Sequence, residues 1–431
     1  MITVHRDTPP ENPPPRSWSR RVRVRRATLF GFLAVMGPGI ITGFAGNDAG
    51  GVATYTAVGA HYGFALLWLL ILSTAGLLVV QEMCARMGAV TGKGLSDLIR
   101  ERFGVRWTIV AMLALLVANG SNVVAEFAGI AASLELLGVD RLVSVPAAAT
   151  AIWALVVFFS YRVVERALFV LVLAFVAYPV SAVIVRPDWG AVLRGVALPT
   201  LSTEQAALVA ALALVGTTIT PYMQFYIQAS IVDKGIDRDL YRFARVDVYL
   251  GALLTGLNGF FIIVVAGAVL FPAHVVVESA SDAARALGPL AGEQARLLFG
   301  AGLFGASLLA ATVMPLSTSY AICEAFGWES GISKDFREAP VFMGLFTLLL
   351  VIGALIVLIP GIPLIPLILL SQNVNGLLLP IVLVFILRLA GDRRLMGDQA
   401  NGRVSQLVGV GTALMASSLS IGLVVVTVLG R

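Results

Sequence analysis

Eleven apolar runs of about 20 residues follow one another along this chain, and they constrain its fold more than any other feature. About 20 apolar residues are what a helix needs to cross the hydrocarbon of a bilayer. Charged residues make up only 13% of the chain, against roughly 25% in a soluble globular protein. The sequence therefore predicts an all-α membrane protein without a sizeable soluble domain. The predicted spans are 29–60, 64–85, 107–137, 145–160, 167–185, 206–231, 246–271, 297–326, 341–359, 363–389 and 404–429.

The basic residues predict how these spans are oriented. With the N-terminus in the cytosol and the loops alternating, 24 of the 30 Lys and Arg residues fall on the cytosolic side, as the positive-inside rule requires. We therefore predict a multi-pass protein of the plasma (inner) membrane with its C-terminus outside. Residues 1–28, rich in Pro and Arg, are predicted to be a disordered cytosolic tail. The net charge of +5 follows from this distribution, so we expect contact with membrane lipid and no nucleic-acid partner.

Two spans contain helix-breaking residues near their middle. The stretch GFAGNDAGGVATYT (43–56) places four glycines around Asp48, and GTTITPYMQF (216–225) places Pro221 after a glycine and three threonines. Proline cannot donate the next helical hydrogen bond. Unwound backbone in a membrane survives only where it lines a cavity or is buried in protein, and a carboxylate at that depth is functional by default.

The two breaks fall at corresponding positions in the chain. Each lies in the first helix of a block of five, which predicts an inverted-repeat transporter whose site lies at the midplane between the broken helices. The predicted repeats are 29–185 (spans 1–5) and 206–389 (spans 6–10), and span 404–429 lies outside them. A glycine-rich close-packing face and a simple proline kink are the alternative interpretations. The buried aspartate favours the interpretation as a transport site over these two alternatives.

Several stretches resemble the Nramp family of divalent metal transporters. The resemblance implies a LeuT-like fold, with two inverted five-helix repeats and an eleventh transmembrane helix. It covers residues 29 to about 390 in order. The stretches that carry it are GPGIITGFAGNDAGG (37–51), GAVTGKGLSDLIRERFG (88–104), AEFAGIAASL (125–134), GTTITPYMQF (216–225) and LILLSQNVNGLLLP (367–380).

The resemblance also implies a set of site residues. The expected metal site comprises Asp48, Gly51, Ala45, Asn47, Thr217, Thr220 and Gln372. The residues expected to line it are Tyr222, Glu126, Pro221 and Asn122.

This chain departs from the family pattern at several of these positions. Gly51 stands where the family has Asn, Thr220 where it has Met, and Tyr222 and Ile227 where it has His. An acidic residue three positions before Glu126 is replaced by Val123.

These departures leave oxygen ligands and more room. A thioether is a soft ligand, whereas carboxylate, hydroxyl, carbonyl and amide oxygens suit Mg²⁺ and Mn²⁺. Because Mg²⁺ dehydrates reluctantly, an enlarged pocket favours a partly hydrated ion. The sequence therefore looks closest to the Nramp-related magnesium transporters, and we expect Mg²⁺, and also Mn²⁺, to be transported without any cofactor.

The few histidines weaken the case for proton coupling. The chain has only His5, His61 and His274, and none is predicted to lie near a break. Histidine is the side chain that titrates near neutral pH. We therefore expect an uncoupled uniporter. The alternatives are a proton-coupled Mn²⁺ or Fe²⁺ importer of the usual Nramp type and a symporter for an organic substrate. No catalytic arrangement is recognised, so we do not expect an enzyme, and monomer or dimer stays open.

Overall fold

The computed structural model is helical almost throughout the residues that it describes, which are 39, 42, 43, 46–158, 177–200, 202, 204–277, 280–284, 295–331 and 334–429. The helices are α1 (Ala49–Tyr62), α2 (Leu67–Thr91), α3 (Leu95–Phe103), α4 (Val105–Glu135), α5 (Arg141–Phe158), α6 (Ala177–Val185), α7 (Trp189–Ala197), α8 (Gln205–Thr218), α9 (Pro221–Asp233), α10 (Tyr241–Val269), α11 (Ala280–Ala284), α12 (Ala295–Phe326), α13 (Pro340–Val357), α14 (Leu364–Ala390), α15 (Arg393–Met396) and α16 (Arg403–Leu429).

The predicted membrane class is confirmed. Within the described ranges, nine helical segments are long and apolar enough to cross a membrane, counting 205–233 as one. The first, fourth and fifth predicted spans extend outside the described residues, and the predicted tail, 1–28, lies wholly outside them. The domain limits and the orientation of the termini stay predictions.

The second span continues further than predicted. Its helix, α2, runs to Thr91 instead of ending near residue 85, and Gly92 ends it in the left-handed region with φ of 66°. Gly88 lies against Gln228 of α9, where a Cβ would be 3.0 Å from the Gln228 carbonyl oxygen. Packing against α9 therefore stabilises the extra turn, which hydropathy alone does not reveal.

Both predicted interruptions are present. Helix α8 ends at Thr218 and α9 begins at Pro221. Pro221 has no N–H to donate to the Thr217 carbonyl, and the Thr220 hydroxyl donates to that carbonyl instead, at 3.0 Å. At the other break, residues 46–48 form a turn and α1 begins only at Ala49.

Small residues bring other helices close to the first break. At Gly129 of α4, a Cβ would overlap the Cβ of Ala49 and the hydroxyl of Ser307 on α12. At Gly50 of α1, it would overlap the amide of Gln372 on α14. Because these glycines carry no side chain, α4 and α14 can place polar groups directly against the start of α1.

Two short amphipathic helices were not predicted. Helices α3 and α7 occupy stretches that the sequence analysis treats as loops, because neither is long enough or apolar enough to count as a span. In α3, Leu95, Leu98 and Ile99 are buried while Arg100 and Arg102 are exposed. This periodicity was the available signal for a surface helix.

Candidate cation site at the two helix breaks

Two buried carboxylates lie at the N-terminus of α1. Oδ1 of Asp48 accepts a hydrogen bond from the Gly51 N–H at 2.6 Å, and Oε2 of Glu126 accepts one from the Ala49 N–H at 3.1 Å. The first N–H groups of a helix have no partner within it, and its N-terminus attracts negative charge. The second oxygens of these carboxylates, Asp48 Oδ2 and Glu126 Oε1, are buried and have no hydrogen-bond partner among the described residues.

Three oxygen atoms closely surround the side of Gly51 that lacks a side chain, which we call its open face. A Cβ on this glycine would lie 3.1 Å from the Gly46 carbonyl oxygen, 3.5 Å from Asp48 Oδ1 and 3.5 Å from Thr217 Oγ1. The first two oxygens belong to the break before α1, and the third comes from the last turn of α8. This side of Gly51 therefore lies between the two breaks.

The second break contributes one unsatisfied hydroxyl. Thr217 Oγ1 is buried and has no partner within the described part of the chain. Thr220 Oγ1 is already used as a donor to the Thr217 carbonyl. Tyr222 is buried in the first turn of α9, and its carbonyl accepts a hydrogen bond from Ser317 at 3.1 Å. Of the two predicted threonine ligands, Thr217 is thus the one whose hydroxyl is placed at the open face of Gly51.

Asn47 is also partly unsatisfied. Its Nδ2 donates to the Thr255 carbonyl of α10 at 3.4 Å, while its buried Oδ1 has no partner in the described structure. The amide therefore anchors the break to α10 and leaves one oxygen uncommitted. Ala45, another predicted ligand, lies outside the described residues.

Gln372 reaches the first break but its polar atoms are engaged. Its Nε2 lies against Gly50 and donates to Ser371 Oγ at 2.9 Å, and its Oε1 accepts from Asn375 Nδ2 at 3.0 Å. Asn122 and Asn375 exchange two hydrogen bonds of 2.9 Å between α4 and α14. Gln372 Oε1 keeps a second lone pair that could meet a cation, and Asn122 contacts Gln372 within the same network.

Sequence reasoning missed three residues that touch the site region. Met223 lies in the first turn of α9, and its thioether packs against the first break, where a Cβ on Gly46 would lie 3.3 Å from Sδ. Thr255 donates to the Gly43 carbonyl at 2.5 Å. Asn375 holds Gln372 as described above. The sequence carried a signal for Met223, which lies only three residues after the predicted ligand Thr220. It carried none for Thr255, which belongs to another helix.

The charge balance of the site favours a cation. In the part of the chain that the structure describes, no three His, Cys, Asp or Glu side chains form a group that could hold a metal ion. A cation at the breaks would therefore meet one or two carboxylates, with neutral oxygens completing its coordination. Unpaired buried carboxylates are costly, and a bound cation relieves that cost.

Comparisons with known proteins agree with this arrangement. A family profile described as "Natural resistance-associated macrophage protein-like" (Nramp) matches residues 39–426. The divalent metal cation transporter MntH of Pectobacterium carotovorum subsp. carotovorum is 28% identical over 413 residues, covering 92% of this chain and 95% of MntH. MntH of Bacillus subtilis is 27% identical over 411 residues, covering 92% and 93%.

Solved structures support the fold. The Eremococcus coleocola manganese transporter superposes with a TM-score of 0.76 at 22% identity, covering 94% of this chain and 88% of that one. The structure of MhsT in complex with L-phenylalanine gives a TM-score of 0.56 at 18% identity, covering 93% of this chain and 98% of MhsT. The fold is thus LeuT-like, and by the match over 39–426 the chain belongs to the Nramp family of divalent metal transporters and is not an enzyme.

Proposed function

We propose that the chain imports Mg²⁺, and also Mn²⁺, across the plasma membrane through the site at the two breaks. The observation that carries this proposal is the group of oxygens around the open face of Gly51, with the unpartnered Asp48 Oδ2 and Thr217 Oγ1 nearby. Carboxylate, hydroxyl and carbonyl oxygens are hard ligands, and they suit Mg²⁺ and Mn²⁺.

The ion would be partly hydrated. The protein offers few unpartnered oxygens, because the Thr220 hydroxyl and Gln372 Oε1 each already make a hydrogen bond within the protein. Gly51 contributes no side-chain ligand. Mg²⁺ keeps several waters in most protein sites because it dehydrates reluctantly. A site with few direct protein ligands matches that preference better than a fully dehydrating cage would.

The transport would be uncoupled from protons. His61 lies in the last turn of α1 with its Nδ1 next to the Ala57 carbonyl, and His274 follows α10, so neither is at a break. Glu126 is the remaining acid beside Asp48, and one of its oxygens is used to cap α1. An inside-negative potential favours entry of a divalent cation by about 4.6 kcal/mol per 100 mV, which suffices as a driving force.

Uptake into proteoliposomes tests this function directly. We expect Mg²⁺ and Mn²⁺ to enter vesicles faster as a potassium diffusion potential is made more negative inside, while a pH dye in the lumen reports no acidification. Empty liposomes at the same potential control for leak. Lumenal acidification that requires Mg²⁺ uptake, or uptake of Mn²⁺ without any Mg²⁺ uptake, would contradict the proposal.

A second candidate is the proton-coupled importer of Mn²⁺ or Fe²⁺. It is favoured by the Met223 thioether beside the first break and by the manganese transporter among the structural neighbours. Sulfur ligands discriminate against hard Mg²⁺. This candidate therefore requires Met223 to reach the ion, whereas the first requires it only to pack.

Replacing Met223 by leucine separates the two candidates. Leucine keeps the volume and removes the sulfur, a change that well-packed cores tolerate. If Met223 only packs, we expect the Mn²⁺ and Mg²⁺ uptake rates to stay within about twofold of wild type, because no ligand is lost. A selective loss of Mn²⁺ uptake in this variant would support the second candidate. Met343→Leu, at a buried methionine of α13, is the matched control.

A further inference from the structure

One side of α14, at Leu377, Ile381, Val384 and Arg388, ends beside a polar recess, and we call the two together the groove. Helix α14 packs against α4, α8 and α16. The recess has a volume of about 530 Å³, within the range of roughly 300–1,000 Å³ that is typical of small-molecule sites. Its lining includes Arg102, Phe103, Arg388, Asp392, Asn401 and Gln406. This end carries the basic loops that the sequence analysis assigns to the cytosolic side.

The recess carries an uncompensated positive charge. Arg102 is paired with Asp392 at 2.6 Å. Arg388 is exposed and forms no ion pair with any described residue. Gln406 accepts a hydrogen bond from Asn401 through its Oε1 at 2.9 Å, which leaves its Nε2 group as a donor. Two guanidinium groups and an amide donor thus surround a space that contains a single carboxylate, already engaged.

An apolar track leads from the membrane-facing surface into this recess. Leu377, Ile381, Val384 and Arg388 follow each other at helical spacing along one side of α14, and Leu377 and Val384 are 38% and 53% exposed. Trp107 of α4 is 56% exposed next to the recess, and its ring makes an edge contact with Phe385. Tryptophan is enriched at the level of lipid headgroups.

We propose that this groove binds one anionic phospholipid, with its phosphate at Arg388 and Arg102 and an acyl chain along Leu377 and Val384. Basic pockets between transmembrane helices on the cytosolic side are suited to anionic headgroups. Arginine binds phosphate through paired N–H donors. The apolar track favours a phospholipid over free phosphate, because one phospholipid can contact both the arginines and the track. The inference is independent of which cation the protein carries.

Native mass spectrometry of the full chain, purified in detergent, tests the lipid site. We expect wild-type protein to retain one phosphatidylglycerol under conditions that remove phosphatidylcholine, and Arg388→Gln to bind it about fivefold more weakly, the effect expected of one basic residue at the surface. The matched control, Arg337→Gln, removes an exposed charge between α12 and α13 and should bind like wild type. Equal binding by both variants would overturn the proposal.

Two further measurements keep the test decisive. Val384→Trp blocks the apolar track without changing charge, and it should also weaken phosphatidylglycerol binding if Arg388→Gln fails to fold. Inorganic phosphate should not displace the lipid at concentrations that leave the protein folded. Displacement by phosphate, or equal retention of phosphatidylcholine, would show that the recess holds an anion without selecting a phospholipid and would overturn the proposal.

Discussion

Replacing Asp48 by asparagine is expected to abolish metal transport, lowering Mg²⁺ and Mn²⁺ uptake by about 100-fold or more, since removing one member of a buried charge pair costs about 3–5 kcal/mol. The carboxylate supplies the negative charge at the breaks, and its Oδ2 has no other partner in the described structure. Asparagine caps helices about as well as aspartate does. The hydrogen bond from Gly51 can therefore persist, so the variant removes the negative charge without removing the helix cap. The measurement is the initial rate of uptake into proteoliposomes at matched protein amounts.

A matched control is available at another helix N-terminus. Asp188 caps α7 by accepting hydrogen bonds from Gly190 and Ala191, yet it is exposed and far from the breaks in the chain. Asp188→Asn makes the same chemical change and should transport like wild type. If Asp48→Asn keeps wild-type uptake and a normal melting temperature, Asp48 is not part of the ion site. That result would contradict the proposed function.

Filling the open face of Gly51 with asparagine is expected to change which ion is carried. The new side chain would enter between the Gly46 carbonyl, Asp48 Oδ1 and Thr217 Oγ1, with its Cβ 3.1 Å from the Gly46 carbonyl oxygen, and it would add a direct amide ligand. Because Mg²⁺ sheds its waters reluctantly, we expect Mg²⁺ uptake to fall about tenfold or more while Mn²⁺ uptake changes by less than about threefold. Competition between the two ions in one uptake assay measures the ratio.

Gly120→Asn provides the control for this substitution. Gly120 lies in the middle of α4, where a Cβ would meet no atom within 4 Å, so the same side chain is added without filling a space between helices. The Mg²⁺ to Mn²⁺ ratio of that variant should equal the wild-type ratio. An unchanged ratio in a folded Gly51→Asn variant would mean that no hydrated ion occupies the face of Gly51.

The local features of the site follow from short stretches of sequence. The glycines around Asp48 and the proline at position 221 weaken helices wherever they occur, because they act on the backbone of their own segment. The apolar runs likewise predict spans by length alone. Both breaks and the nine described membrane helices could therefore be predicted from sequence, while the extra turn of α2 and the surface helix α3 could not be predicted from hydropathy.

Tertiary packing decided which atoms are free to meet a cation. Glu126 contacts Ala49 across 77 residues of chain, and Asn375 occupies the Gln372 oxygen. Such pairings depend on close helix crossings at small residues such as Gly129. A small residue permits the contact, but its presence in the sequence does not reveal which helix will pack there. Composition and periodicity thus determined the membrane class and where its helices break. Only the folded bundle decided that the unpartnered Thr217 hydroxyl of α8 lies at the face of Gly51 in α1, because contacts between distant segments exist only once the helices have packed.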